Sequence, residues 1–250
     1  MIDVGEELAV QSFCFRAFKD NAKVADMVKE CGLSSIELCG AHVDMAAPDT
    51  FEATIKVYHD SGVEMPCIGV CGFGDDEAAA RRYFEFAHLV GARCIGADFR
   101  PANAPDCFKL GERLAEEYGI PLAIHNHGGR HWLGSAQILR TVFDRTGPMI
   151  GLCLDTAWAL DSHEDPVAMA RKFADRLRMI HLKDFVFDRT GKPEDVVVGR
   201  GVLDLPGFFT ALKEMAFDGC ATLEYEGDVD DPVPSLRECV KSIRETWSQA

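Results

Sequence analysis

Eight short apolar runs, nearly constant spacing between them and helix signals in the gaps predict an α/β chain closed into a single (β/α)8 barrel over residues 1–250. The runs are LAVQSF from residue 8, SSIELC from 34, EMPCIGV from 64, RCIGADF from 93, IPLAIHNH from 120, MIGLCLD from 149, RMIHLKD from 178 and CATLEYE from 220. Six of the seven start-to-start gaps are 26–30 residues, the length of a strand, a helix and two short loops, so one repeating unit uses up the chain. Eight units exceed the roughly five or six strands of an open doubly wound sheet, and no GxGxxG follows the first run.

The gaps carry helix signals. Ala80, Phe84 and Ala87 recur at helical spacing between the third and fourth runs, with Gly91 placed as a C-terminal cap. Asp165 before Pro166 reads as an N-cap followed by a first-turn proline, opening PVAMARKFADRL, and DLPGFF repeats the device from residue 204. The glycine-rich GVCGFG after the third run lacks the Lys-Ser or Lys-Thr ending of a phosphate loop.

Composition narrows the partners. With 47% apolar and 27% charged residues the chain is globular rather than disordered. Its 41 acidic against 26 basic residues leave a net charge of -15, which opposes binding to nucleic acid or an anionic membrane surface. No apolar run reaches the roughly 18 residues of a membrane span, and MIDVGEELAV lacks the basic-then-apolar order of a signal peptide, so a cytoplasmic location is expected. The ten cysteines lie scattered among apolar neighbours and read as small, reduced core residues. Cys67 and Cys71 have no second pair to complete a zinc ribbon.

Alternation along the later strands sorts side chains by face. Ala123, His125 and His127 point into the barrel in the fifth strand, Gly151, Cys153 and Asp155 in the sixth, Met179, His181 and Lys183 in the seventh, and Thr222, Glu224 and Glu226 in the eighth. Each inward set ends in ionisable residues at the C-terminal end, the catalytic face of such barrels. His125, Asp155, His181 and Glu224 therefore converge as two nitrogen and two oxygen ligands for one divalent metal ion. Mixed ligands of this kind suit manganese, zinc, cobalt or iron better than calcium.

Taken together, SIEL, AIHNHGG, LDTAW, IHLKDF, GRGVLDLPGFFTALKE and LEYEGD resemble the xylose-isomerase-like TIM barrels, across nearly the whole chain. That superfamily includes sugar phosphate isomerases and epimerases, inosose dehydratases and endonuclease IV. The resemblance implies that Asp155, His181 and Glu224 hold the metal, with manganese the first choice and magnesium, cobalt, zinc or iron as alternatives. Ketose 3-epimerases have a glutamate where this chain has His125 and a histidine where it has Trp158, so the chain looks like a branch with HNH in strand five. The symmetric two-glutamate proton shuttle is thereby lost. Endonuclease IV needs three zinc ions whose extra ligands are largely missing, in keeping with the net charge.

Glu224, His127, Lys183, Glu37 and Glu226 are the candidates for moving a proton. Glu37 can equally bond to a strand-one amide, and His127 can orient a ligand. Trp132 and Trp158 can offer aromatic faces to a sugar, or pack the mouth, while His131, Arg200 and Arg16 can donate hydrogen bonds to hydroxyls. The leading expectation is a metal-dependent isomerase or epimerase that takes a proton from a carbon next to a carbonyl, through an enediolate. A lyase, eliminating from a 3-keto-glycoside or dehydrating a keto-polyol, shares the first step and needs only one base and one acid. The apolar FVFD from residue 185, expected in an exposed loop, points to a homo-oligomer or a partner subunit. A separate non-catalytic reading, an accessory subunit that keeps a metal for structure, predicts no open coordination position, which this four-ligand set does not suggest.

Overall fold

A computed structural model describes residues 1–128 and 130–250. Eight parallel strands form one sheet: β1 (Ala9–Gln11), β2 (Ile36–Glu37), β3 (Cys67–Phe73), β4 (Cys94–Phe99), β5 (Leu122–His125), β6 (Ile150–Asp155), β7 (Leu177–Leu182) and β10 (Cys220–Leu223). Between β7 and β10 lies an antiparallel hairpin of β8 (Asp184–Phe187) and β9 (Pro193–Val196). The sheet runs in the order β2-β1-β10-β7-β6-β5-β4-β3. Bridges Ser35–Glu64 and Leu38–Ile68 join its two ends, so it is a nearly closed α/β barrel, as the repeat predicts.

Nine α-helices surround the sheet among the described residues: α1 (Asn21–Glu30), α2 (Phe51–Asp60), α3 (Glu77–Val90), α4 (Asp106–Tyr118), α5 (Ala136–Phe143), α6 (Thr156–Asp161) at the mouth, α7 (Pro166–Lys172), α8 (Leu205–Glu214) and α9 (Val233–Gln249). The capping signals act as read. Asp165 accepts from the amides of Val167 and Ala168, Asp204 accepts from that of Gly207, and Gly91 ends α3 at φ 70°. The helix after Pro166 stops at Lys172, short of the apolar pattern that suggested it.

Outward strand residues such as Leu122, Leu152, Ile180 and Leu223 pack under the helices in the main core. Inside the barrel, Cys67, Cys94, Ala123, Cys153, Met179 and Cys220 make a second, smaller core. All ten cysteines are free and buried. These small side chains fill the floor and leave the polar residues one step further along each strand to meet above it. Close approach of β3 to β4 depends on Gly69, at φ 148°, where a Cβ would stand 2.8 Å from Gly96 Cα. No helix among the described residues is long and apolar enough to cross a membrane.

The segment from 185 corrects an expectation. It is strand β8 rather than an exposed loop, Phe185 is buried, and its ring meets Trp158 edge-on at 5.1 Å. Asp184 anchors this hairpin by accepting from the amides of Gly199, Gly201 and Leu203.

Candidate metal centre

Strands β5, β6, β7 and β10 are neighbours in the sheet, and their C-terminal ends bring His125, Asp155, His181 and Glu224 together. Register pairs Asp155 with His181, and His181 with Thr222, so the ligands stand side by side rather than on one strand. One ligand atom from each lies within 4.8 Å of the others. His125 Nε2 is 3.2 Å from His181 Nδ1, 3.6 Å from Asp155 Oδ2 and 3.9 Å from Glu224 Oε2.

Supporting contacts aim each ligand. Glu37, fully buried on β2, accepts from His181 Nε2 at 3.0 Å and from the Thr222 hydroxyl at 2.8 Å. With that proton directed to Glu37, the His181 lone pair on Nδ1 faces the cluster. Nδ1 then lies 2.7 Å from Glu224 Oε2, close enough for the two to share a proton or, in its place, a cation. Asn126 clamps the Asp155 backbone, accepting from its amide at 2.8 Å and donating to its carbonyl at 3.1 Å. Asp155 Oδ1 accepts from the Trp158 amide, whereas Oδ2 is buried with no hydrogen-bond partner. A buried carboxylate oxygen left in this way costs several kcal/mol unless a cation meets it. Two imidazoles, two carboxylates and that orphaned oxygen together fit a divalent metal ion.

A cavity of about 500 Å³ opens above the cluster, with His125, Glu224, Gln11, His127, Trp158 and Glu226 in its walls. His127 keeps a buried Nδ1 without a partner, and burial, followed by the neighbouring His125, lowers its pKa to about 4. Lys183 is fully buried behind the wall. Its ammonium pairs with Glu226, lies 3.4 Å from Asp195 and 3.6 Å from Glu224, and sits 5.6 Å from the centre of the Trp158 ring. Burial opposes this charge, but Glu224, Asp155, Asp195 and Glu226 outweigh it and hold the lysine protonated. Burial raises the Asp195 carboxyl to about 7.

Several sequence-based assignments land elsewhere. Glu37 reaches His181 and Thr222, not a strand-one amide, and it lies beneath His181 instead of in the cavity wall. Trp132 donates to the Phe99 carbonyl at 2.8 Å and packs against Phe108, so of the two tryptophans only Trp158 lines this cavity. His131 pairs with Asp98 at 3.3 Å, beside His127. Arg16 donates to the carbonyls of Glu226 and Phe13, bracing the rim. Arg200 is not brought to the mouth: it is exposed and pairs with Glu238 on α9. Sequence reasoning missed Asn126 and Asp195. Asn126 stands between two inward histidines and so counts as outward, while Asp195 belongs to a hairpin that reads as loop.

An α/β barrel with a cluster of four side chains able to hold a metal ion at its C-terminal strand ends defines the class of this protein. The chain belongs to the xylose isomerase-like TIM barrel family, whose pattern matches residues 25–246. An inosose dehydratase from Clostridium beijerinckii is 28% identical over 153 residues, covering 55% of this chain and 51% of that protein. The match thus spans about half the length of that relative. Among solved structures, a xylose isomerase-like TIM barrel protein from Mycobacterium smegmatis in complex with magnesium superposes with a TM-score of 0.80 at 17% identity, covering 100% of this chain and 99% of the other. The IolI protein with a bound zinc atom superposes at 0.73 with 15% identity, covering 97% and 98%.

Proposed function

We propose that the chain is a divalent-metal-dependent lyase that dehydrates a keto-polyol, taking a proton from a carbon next to the carbonyl and expelling a β-hydroxyl as water. The observation that carries this reading is the unlike pair of groups facing one cavity. His127 presents an unpartnered Nδ1 on one side, and Glu226, tied to Lys183, stands on the other. Elimination uses one base and one acid of different character, whereas reprotonation on a neighbouring carbon favours two matched groups. Similarity to an inosose dehydratase supports elimination over the isomerase chemistry that the sequence first suggested.

His125, Asp155, His181 and Glu224 would hold the ion. When bound, it supplies Lewis acidity toward the carbonyl oxygen of the substrate. Magnesium and zinc in the two structural relatives make either a reasonable first choice beside manganese. The protein's own groups do the rest. Glu37 and Asn126 keep two ligands in place, His127 Nδ1 holds or moves the proton, and the Trp158 indole shields the cavity and offers a face to C–H groups. The buried Lys183 pairs with Glu226 and directs it at the rim. We further propose a small polyhydroxylated substrate and a cytoplasmic setting.

Proton NMR in deuterated water, with the magnesium-, zinc- or manganese-loaded protein and a panel of keto-polyols, ketoses and aldoses, tests the reading. The expected result is deuterium exchange next to the carbonyl together with a new vinylic signal. Exchange accompanied by an isomeric sugar and no vinylic signal would replace the lyase by an isomerase. Absence of exchange with every compound would refute both.

A further inference from the structure

The floor of the barrel beneath the ligand cluster is built from Cys67, Cys94, Cys153 and Cys220, with Ala123 and Met179. Three of these thiols meet oxygen. Cys67 Sγ lies 3.7 Å from Glu37 Oε2, Cys94 donates to the Pro121 carbonyl at 3.3 Å, and Cys220 donates to the Pro66 carbonyl at 3.6 Å. Cys153 differs. The sheet register sets it directly beside His125, and its sulfur groups with one ring nitrogen each of His125 and His181, the three atoms lying within 4.8 Å of one another. All three side chains are buried, and His125 Nδ1 lacks a hydrogen-bond partner.

Two ligand sets therefore share the same pair of imidazoles. One adds Asp155 and Glu224. The other adds Cys153, which comes two residues before Asp155 on β6, one inward position and about 6–7 Å nearer the floor. Their chemistry is unlike. Carboxylate oxygens suit a hard ion such as magnesium or manganese, whereas a thiolate beside two imidazoles favours a thiophilic one, above all zinc. Their positions differ as well: His125 and Glu224 line the cavity of about 500 Å³ and Cys153 does not, so an ion drawn to the sulfur sits back from the space open to a substrate.

We propose that Cys153 gives the centre a second, deeper seat for a thiophilic divalent ion, which excludes an ion from the carboxylate seat because both need His125 and His181. The inference rests on the reading of the four-residue cluster as a metal site. Entry of the ion breaks the S–H bond: the sulfur keeps the electron pair and binds the ion, and the proton passes to solvent, with no change of oxidation state. Cys153 thereby sets which metals fill the cavity-facing seat. Magnesium and manganese stay there, and zinc is diverted.

Cobalt(II), a spectroscopic stand-in for zinc, tests the deeper seat on the intact chain. One equivalent should produce a near-ultraviolet sulfur-to-cobalt charge-transfer band that is absent from Cys153→Ala and Cys153→Ser; serine keeps the size of the side chain, so losing the band there is not losing the fold. In a second measurement zinc is titrated into the manganese-loaded protein while paramagnetic resonance follows free manganese. Zinc should release manganese ion for ion, and Cys153→Ser should need about tenfold more zinc while its manganese affinity stays unchanged. Cobalt bound without the band, a band that survives both substitutions, or equal zinc requirements would overturn the proposal. Manganese binding separates it from the reading on which it rests. Manganese held with no sulfur band sinks only the deeper seat, and a sulfur band in protein that takes up no manganese sinks only the carboxylate seat.

Discussion

Replacing Glu37 by glutamine separates the orienting role that its contact with His181 gives it from the proton-moving role that the sequence suggests. Glu37 Oε2 accepts from both His181 Nε2 at 3.0 Å and Thr222 Oγ1 at 2.8 Å, in a fully buried setting. Glutamine keeps an acceptor at this position but removes the charge that strengthens the His181 bond. A hydrogen bond to a charged group contributes roughly 1.5–3 kcal/mol and a neutral one roughly 0.5–1.5, so the loss is about 1–1.5 kcal/mol. That corresponds to about tenfold weaker metal binding, at the lower edge of the roughly 10- to 100-fold seen when the partner of a metal-bound histidine is changed. Chelator competition measures the affinity, and deuterium exchange at saturating metal measures the chemistry. Glu37→Gln is expected to bind metal about tenfold less tightly and to exchange at near the original rate once loaded. Unchanged affinity with lost exchange would refute the reasoning and make Glu37 a proton-moving group.

Other expectations can be checked with the same preparations. Asp155→Ala or Glu224→Ala removes one of four ligands, and metal analysis after dialysis should find loss of the ion and of activity together; full metal content with full turnover defeats the assignment. His125→Glu should retain metal, since a carboxylate oxygen replaces the imidazole nitrogen, and loss of metal would take His125 out of the ligand set. Asp184→Ala strips the acceptor from three amides and should lower folding stability by about 2–4 kcal/mol in urea titrations, whereas no loss would mean that the hairpin is anchored elsewhere. Asp195 has a folded pKa of about 7, raised by burial, so its contribution to folding is fully present below its ordinary carboxylate pKa and is lost as pH rises from there through the folded value of about 7. Asp195→Asn should therefore gain on the order of 2 kcal/mol relative to the original protein between pH 5 and pH 8, and an equal difference at both pH values would count against the burial argument.

Much of the barrel and of the four-residue cluster at its mouth is legible in the sequence because both rest on periodicity. Alternation places His125, Asp155, His181 and Glu224 on the inner face, and near-equal spacing of the runs makes their strands neighbours, which is enough to converge them. Where the structure departs, long-range partners decide. Trp132 turns to the Phe99 carbonyl, 33 residues away, and Arg200 turns outward to Glu238; no local pattern encodes either contact. The hairpin is hidden for a related reason. Its β9 strand, PEDV, has neither the apolar alternation nor the β-branched richness of a strand, and it pairs because Asp184 and the Lys183–Asp195 contact hold its base. Asn126 carries a signal only when the backbone of the next strand is in view.

The closing seam of the barrel supplies none of the four clustered residues, and yet it is wired to them. Strands β2 and β3 meet through isolated bridges on either side of Glu37, at Ser35 and Leu38, where the ladder is thinnest and local opening should come first. Glu37 reaches from this lip to His181, three strands away in the sheet. A bound cation, by immobilising His181, would act as a cross-brace on a seam that supplies none of its ligands. Amide hydrogen exchange in β2 and β3 should slow on metal loading, and the slowing should shrink in Glu37→Gln, so that the breathing of the closure becomes a readout of the occupancy of the centre.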